Sequence, residues 1–487
     1  MTFSELLNLV SSEKVPDICV DSRLVEDGAV FVAIKGTVYD GHDFIGQAVS
    51  RGAKYIVANS PGARYEIPDT GCQIILVDDS AEAAAILAQA SRGNPASKLT
   101  NLAVTGTNGK TTVAYLVRSV IQTAGEKCGL LGTILYDTGL ASSQADLTTP
   151  DCLAIADAQQ QMVKAGSKYM VIEASSHALS QSRLAGIQFK AAAFTNLAGD
   201  HLDYHKTKAD YLAAKTRLFS SLSPGAVAVL NKQSPEADLI AGQIQDKQVE
   251  ILWYAVDAPA DISARIESMD INGTVFTLEY SGQSSIVRTP LLGRYNVSNH
   301  LAAAGLCLAA GFDLETIAAG LSTLEAVPGR LEKLDTPLAD SVSVFIDYAH
   351  TDDALKNVLS ALKPFCAGTL YVVFGCGGDR DRTKRPRMAG VAEQLADFVI
   401  VTNDNPRTEQ PAGIISEIVA GFKNPDSRTV VIEPDRKKAI ELAIRTAVKD
   451  DILLIAGKGH EDYQIIGNQK LDFSDKLIAR ECLKNRK

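Results

Sequence analysis

One stretch constrains this chain more than any other: Val104-Thr105-Gly106-Thr107-Asn108-Gly109-Lys110-Thr111-Thr112. The apolar run Leu102-Ala103-Val104 leads into it, and a helix-like segment at 113–122 follows. A strand, a glycine-bearing turn and a helix start, in that order, make a phosphate cradle. Backbone N–H groups and the helix N-terminus face the anion, Lys110 reaches the outer phosphates, and a threonine hydroxyl can hold Mg²⁺. The usual pattern has Gly six positions before the lysine, where this chain has Val104. The loop is therefore a shorter form, and Gly106, Thr107, Asn108, Gly109, Lys110, Thr111 and Thr112 are its candidate ATP contacts. A plain βα turn with an accidental lysine is the competing reading, and the surrounding strand and helix disfavour it.

The rest of the chain reads as α/β in three domains, at 1–97, 98–329 and 330–487. The first is a smaller α/β unit with strands at 30–34, 55–58 and 73–77 and a helix at 81–91, ending in the linker Asn94-Pro95-Ala96-Ser97. The second is a P-loop domain. Its apolar runs at 102–105, 169–172, 191–195 and 226–230 predict a mostly parallel sheet covered on both faces. Segments 266–280 and 284–287 read as antiparallel additions turning at Asn272-Gly273, followed by a helix at 297–310. The third has a Rossmann-like rhythm: strands at 343–346, 370–374, 398–401, 429–432 and 452–455 alternate with helices at 353–362, 386–396, 413–421 and 436–448. In such sheets ligands sit beyond the C-terminal ends of the strands.

Composition narrows the class of function. With 46% hydrophobic and 22% charged residues, the 487-residue chain has ample core, and no apolar run reaches the length of a membrane span. Eight scattered Cys with no Cys-x-x-Cys pair, and a start lacking a basic region followed by an apolar one, predict a reduced cytoplasmic protein. A net charge of −10 argues against a nucleic-acid binder but not against small anionic substrates.

Two strand ends in the central domain carry unusual polar residues. One is Glu173-Ala174-Ser175-Ser176-His177, the other Asp200-His201-Leu202-Asp203-Tyr204-His205. Glu173 and His201 are candidates to reach toward the phosphates held by Lys110, and such a set suits Mg²⁺ or Mn²⁺. His-x-Asp-x-His also suits zinc, although for His205 a helix cap is the favoured reading. Lys215 is the other anomaly. In a helix predicted over 208–222, Tyr211, Leu212, Leu218 and Phe219 surround it at helical spacing, so it lies on the apolar face. Such a lysine usually snorkels. Desolvated instead, it becomes a nucleophile able to take up CO₂ as a carbamate.

These motifs together resemble the Mur ligase family, along the whole chain, and most closely the branch that adds the third residue of the peptidoglycan stem peptide. The resemblance implies ATP and UDP-N-acetylmuramoyl-L-alanyl-D-glutamate as substrates, Mg²⁺ as cofactor, an acyl-phosphate intermediate, and a monomer. It implies catalytic roles for Lys110, Lys215, Glu173 and His201, a carbamylated Lys215, and metal ligation by Thr111, Glu173, His201 and Lys215. Asn296, Arg330, Asp347 and His350 match positions around ATP. Ser22, Thr37, Val38, Tyr39, Thr148, Thr149, Ser175, Gln181 and Arg183 match positions that hold the UDP-muramoyl peptide. The family often has Pro where this chain has Asp352, which puts the shape of that loop in question.

The third domain then chooses the amino acid. Asp404-Asn405-Pro406-Arg407 is the form found in family members that add meso-diaminopimelate, and lysine-adding members typically lack the Arg. Diaminopimelate carries a distal carboxylate that lysine has not, and an Arg on a turn is a candidate fork for it. Arg380, Gly457 and Glu461 match further contacts to the amino acid. The alternatives are addition of L-lysine, a folylpolyglutamate-type ligase, and an ATP-driven switch that makes no bond.

Overall fold

The computed structural model describes residues 1–12, 17–59, 71–199, 202–335 and 342–486. Three main sheets follow one another along the chain. The first orders the strands Ile18–Cys19, Val30–Val32, Tyr55–Asn59 and Gln73–Val77, all parallel. The second has eleven strands, with Thr100–Thr105 between Phe189–Phe194 and Tyr169–Glu173. From Ile262–Asp270 through Glu250–Val256 and Val227–Asn231 to Cys128–Leu131 its strands run parallel, and antiparallel strands extend both edges. The third orders Glu332–Lys333, Ser343–Asp347, Ile452–Ala456, Leu370–Phe374, Phe398–Val401 and Val430–Ile432, parallel except at its first member.

Burial on both faces explains the unbroken apolar strands. Leu102 and Val104 enter one core of the central sheet, whereas Ala103 between them enters the other. The third sheet repeats this: Val372 and Phe374 pack on one side, Tyr371 and Val373 on the other. No helix among the described residues is long and apolar enough to cross a membrane.

Several elements depart from their sequence reading. The helix after the phosphate loop spans Lys110–Thr123 and so starts three residues before position 113. Its first turn, Lys110-Thr111-Thr112, is polar, and an apolar periodicity cannot register it. The helix predicted from position 386 spans Lys384–Leu395, with Pro386 tolerated in its first turn. Strands Cys128–Leu131 and Glu250–Val256 and helices Cys152–Lys164 and Asp475–Asn485 were not legible in the sequence pattern. Asp352 does not disturb its loop. It opens the helix Asp352–Leu362 behind the Thr351 cap, pairs with Arg387 at 3.0 Å, and occupies a first-turn position that suits Pro and Asp alike.

Candidate active site

The central site lies beyond the C-terminal ends of adjacent parallel strands. After Thr105 the chain turns through Gly106, at φ 149°, where a Cβ would come within 1.9 Å of the Thr195 hydroxyl. Gly109, at φ 91°, starts the helix without a side-chain cap, and a Cβ there would meet Asn299 Oδ1 at 2.3 Å. Both positions therefore need glycine. Asn196 holds the loop from the neighbouring strand: Thr107 N–H donates to its carbonyl at 2.9 Å and Asn108 N–H to its side-chain oxygen at 3.0 Å. Lys110 Nζ donates to the carbonyls of Gly106 and Thr107, both at 2.9 Å.

Glu173, completely buried at its strand end, faces this helix start. Its carboxylate accepts from Thr111 Oγ1 at 3.0 Å, and from the N–H and hydroxyl of Thr133, each at 2.9 Å. Gly132 makes room for it, since a Cβ there would lie 2.3 Å from Glu173 Oε1. A buried carboxylate held by neutral donors beside a phosphate loop is a donor set that fits a hard cation. Among the described residues no group of three or more His, Cys, Asp or Glu forms a metal cluster. His201, with Asp200, lies outside the described residues.

A cavity of about 340 Å³ opens over the loop. It is lined by Thr107 through Thr112 and by all four further residues matched to ATP: Asn296, Arg330, Asp347 and His350. Arg330 Nη2 donates to Thr111 Oγ1 at 3.1 Å, and its guanidinium lies 4.5 Å from the ring centre of Tyr348. Asp347 accepts from the N–H groups of Leu331 at 2.5 Å and Ala349 at 2.6 Å; burial nonetheless pushes its carboxyl up to about 6. His350 Nδ1 lies 2.9 Å from the Tyr348 carbonyl. Asn108 Nδ2 also bonds Asp353 of the third sheet's unit, at 2.9 Å.

Lys215 sits on the helix Lys208–Ser220, 1% exposed, against the Tyr211 ring at 4.3 Å. Its Nζ donates to Gly106 O at 2.8 Å. The apolar-face reading is thus correct in geometry, and burial takes the place of snorkelling because the helix packs against the phosphate loop. His205 is not a simple cap. It is buried among the rings of His177, Tyr204 and Tyr211, with Nε2 2.9 Å from Ser176 Oγ.

The residues matched to the amino acid gather at three strand ends of the third sheet. Asn405 Nδ2 donates to Glu461 Oε2 at 2.9 Å. Arg407, at φ 51°, donates through Nη1 to Gly378 O at 2.8 Å. Its N–H bonds Ile465 O at 3.1 Å, and its carbonyl accepts from Gly467 at 2.8 Å. A Cβ on Gly377 would lie 2.9 Å from Arg407 Nη1 and 4.0 Å from Arg380 Cγ, so both arginines flank that glycine. Arg380 itself is exposed. Gly457, at φ 112°, lets Asp404 approach, and a Cβ there would meet Asp404 Oδ2 at 2.6 Å. The rigid turn is completed by Pro406, whose carbonyl would lie 1.9 Å from a Cβ on Gly378. Gly329 and Gly459 pack backbone to backbone, and a Cβ on Gly329 would lie 2.2 Å from His460 N. The Arg330 loop and the Gly457–Glu461 loop are therefore in direct contact.

The residues matched to the UDP-muramoyl peptide do not form one cluster. Thr148 lines the central cavity, and its hydroxyl lies 3.1 Å from that of Thr133. Thr149 Oγ1 donates to Glu173 O at 2.6 Å and accepts from Ser175 N at 3.0 Å. Arg183 is engaged internally, with Gln181 Oε1 at 2.6 Å and Thr149 O at 2.7 Å. Ser22 bonds Gln47 at 2.7 Å in the first sheet's unit, while Thr37, Val38 and Tyr39 form an exposed turn. Neither Ser22 nor that turn lines the cavity. Sequence reasoning missed Gly132, Thr133, Asn196, Tyr348 and Lys458. Each follows or flanks a strand, but a lone Gly, Thr, Asn or Tyr carries no spacing signal.

Comparison with known proteins bears on the same regions. Three family models match: Mur ligase family, catalytic domain, over residues 14–92; Mur ligase middle domain over 104–307; and Mur ligase, glutamate ligase domain, over 329–459. The UDP-N-acetylmuramoyl-L-alanyl-D-glutamate--2,6-diaminopimelate ligase of Geobacillus kaustophilus is 43% identical over 97% of this chain and 96% of its own. That of Gloeobacter violaceus is 42% identical over 98% and 96%. A solved structure of a ligase of the same name is similar with a TM-score of 0.66 and 34% identity, covering 96% of this chain and 94% of that one. A MurF ligase from Thermotoga maritima in complex with ADP shares the fold at TM-score 0.61 and 19% identity, covering 98% of this chain and 97% of that one.

Proposed function

The chain belongs to the Mur ligase family, and on that premise we propose that it joins meso-2,6-diaminopimelate to UDP-N-acetylmuramoyl-L-alanyl-D-glutamate at the expense of ATP, in cytoplasmic synthesis of peptidoglycan precursors. The observation that carries this reading is the contact between two loops. Arg330, bonded to Thr111 beside the phosphate loop, adjoins the Gly457–Glu461 loop that meets Asn405. Phosphate and amino-acid sites on one seam suit a reaction that activates a carboxylate and then aminates it.

In this reading the units 1–97, 98–329 and 330–487 hold the UDP moiety, ATP and the amino acid respectively. The loop N–H groups and Lys110 take the β- and γ-phosphates, with Lys110 leaving the Gly106 and Thr107 carbonyls to do so. The substrate carboxylate attacks the γ-phosphorus, ADP leaves, and the amine displaces phosphate from the acyl phosphate. Stabilising charge at the transferring phosphoryl group is the main demand of such chemistry. Arg330, which lines the cavity with Asn296, Asp347 and His350, would meet it, and the other three would surround the nucleoside. Mg²⁺ would be held by Glu173 and Thr111, with His201 and a carbamylated Lys215, and would supply Lewis-acid charge at the phosphates. Thr148, Thr149, Ser175, Gln181 and Arg183 orient the muramoyl peptide, and Ser22 with Thr37 to Tyr39 holds the uridine end.

Purified protein given ATP, Mg²⁺ and the UDP-muramoyl dipeptide should release ADP with meso-diaminopimelate and far more slowly with L-lysine. ADP release with a folate and glutamate instead, or with no acceptor, would overturn the proposal.

A further inference from the structure

Lys458 has no part in the chemistry above, yet its surroundings are unusual. The side chain is completely buried. Its Nζ donates to Asn405 Oδ1 at 3.1 Å and to Glu461 Oε2 at 3.0 Å, and lies 5.5 Å from the centre of the Tyr463 ring. Asn405 Oδ1 also accepts from Ile465 N at 3.0 Å, and Asn405 Nδ2 donates to the same Glu461 Oε2 at 2.9 Å. The consequence is asymmetric. Glu461 Oε2 takes two donors, whereas no described residue donates to Oε1. The amide of Asn405 is likewise pinned, its oxygen turned to the ammonium and its nitrogen to the carboxylate.

A buried lysine is a poor device for merely tying two loops together. Desolvating an ammonium costs free energy that a packed apolar pair of similar volume does not. What the charge adds is orientation: a cation on one oxygen leaves the other as the acceptor. We propose that Lys458 is the positioning residue of the amino-acid pocket, fixing Glu461 and Asn405 so that Glu461 Oε1 is presented to the ammonium of a zwitterionic amino-acid centre. This rests on the reading of Glu461 as an amino-acid contact. Arg407 would take the carboxylate of the same centre from the opposite loop. Lys458 does not touch substrate in this scheme.

The test is steady-state kinetics of the full chain with ATP, the UDP-muramoyl dipeptide and meso-diaminopimelate. Lys458→Met should raise KM for diaminopimelate roughly 30-fold or more, as expected for a buried charge left without its partner, while KM for ATP changes less than about twofold. Lys458→Arg, which keeps a cation, should recover part of the loss. Should Lys458→Met not fold, Lys458→Gln, which keeps a donor amide without the charge, decides the matter by the same split. An unchanged KM for diaminopimelate in a folded variant, or parallel losses for both substrates, would overturn the positioning role while leaving the ligase reading intact. Failure of the native chain to use diaminopimelate would overturn both, and the native control distinguishes the two cases.

Discussion

Lys110 and Lys215 donate to the same acceptor, the carbonyl oxygen of Gly106, at 2.9 and 2.8 Å. The two amines come from helices far apart in sequence and meet on the loop that would hold phosphate. Gly106 makes this possible, since its φ of 149° turns the carbonyl without a side chain in the way. In the proposed reaction Lys110 would leave this carbonyl for phosphate, and a carbamylated Lys215 would no longer carry an ammonium there.

Lys110→Ala should therefore abolish ATP turnover and leave the fold intact. Nothing else on the loop brings a full positive charge to the outer phosphates, where charge stabilisation dominates the barrier. ADP release measured beside a far-UV spectrum checks this, and turnover equal to that of the native chain would remove the phosphate-cradle assignment.

Lys215→Ala should be nearly inactive for a different reason. If Lys215 acts as a carbamate, an added short carboxylic acid can fill the space and restore part of the activity, and high bicarbonate should favour the modified form of the native chain. Intact mass under native conditions should show a carbamate on the active protein. A free amine in fully active protein, with no response to added carboxylates, would rule the carbamate out.

Gly132→Ala tests the seating of Glu173. The new methyl would lie 2.3 Å from Glu173 Oε1, so the carboxylate must leave its bonds to Thr111 and Thr133. Activity should fall by roughly 10²-fold or more, as for a misplaced group at a reacting phosphate, with stability lowered by about 1–3 kcal/mol. Native kcat in this variant would mean that the position of Glu173 is unimportant.

The phosphate loop, Glu173 and Lys215 were legible because each breaks a local rule: glycines between strand and helix, a carboxylate ending an apolar run, a lysine on an apolar face. That Glu173 and Lys215 approach the loop was expected, but the geometry of the meeting was not legible. It depends on Thr100–Thr105 lying between Tyr169–Glu173 and Phe189–Phe194, an order set by crossovers rather than by sequence proximity. Gly132 and Thr133 escaped notice because the strand before them is short, four residues over Cys128–Leu131, and lacks β-branched side chains. Lys458 reads as an ordinary charge until Asn405 and Glu461 close around it.

Asp347 should give stability a pH dependence of known sign. Its folded value of about 6 exceeds the ordinary aspartate value of 3.8, chiefly through burial. Between those values the folded chain keeps a proton that the unfolded chain releases, so this group lowers stability as pH rises through the window. Burial moves His300 the other way, to about 4, so the raw profile mixes opposing slopes. The difference between native and Asp347→Asn isolates the effect. The variant should gain roughly 2–3 kcal/mol on the native chain between about pH 4 and pH 6–7 in denaturant titrations without nucleotide. A difference independent of pH would refute the burial argument.

Arg407 is expected to set specificity. Its φ of 51° is a backbone conformation that favours Gly or Asn, so the local turn does not itself ask for arginine. The backbone is held by Ile465 and Gly467 whatever the side chain, so Arg407→Ala should fold and bind ATP as before. What the side chain offers is a guanidinium beside Gly377 and Gly378, with Arg380 on the other flank of Gly377. A distal carboxylate there would pair with it, and L-lysine would leave it unpaired, at a cost on the order of 2–5 kcal/mol. A site built around such a partner rejects the analogue lacking it by roughly 10⁴-fold. The native chain should therefore show a large ratio of kcat/KM for meso-diaminopimelate over L-lysine. In Arg407→Ala that ratio should collapse, chiefly through lost diaminopimelate activity, with KM for ATP little changed. Equal use of the two amino acids by the native chain, or an unchanged ratio in Arg407→Ala, would refute the assignment of Asp404-Asn405-Pro406-Arg407 and leave only ligase activity of the broader family.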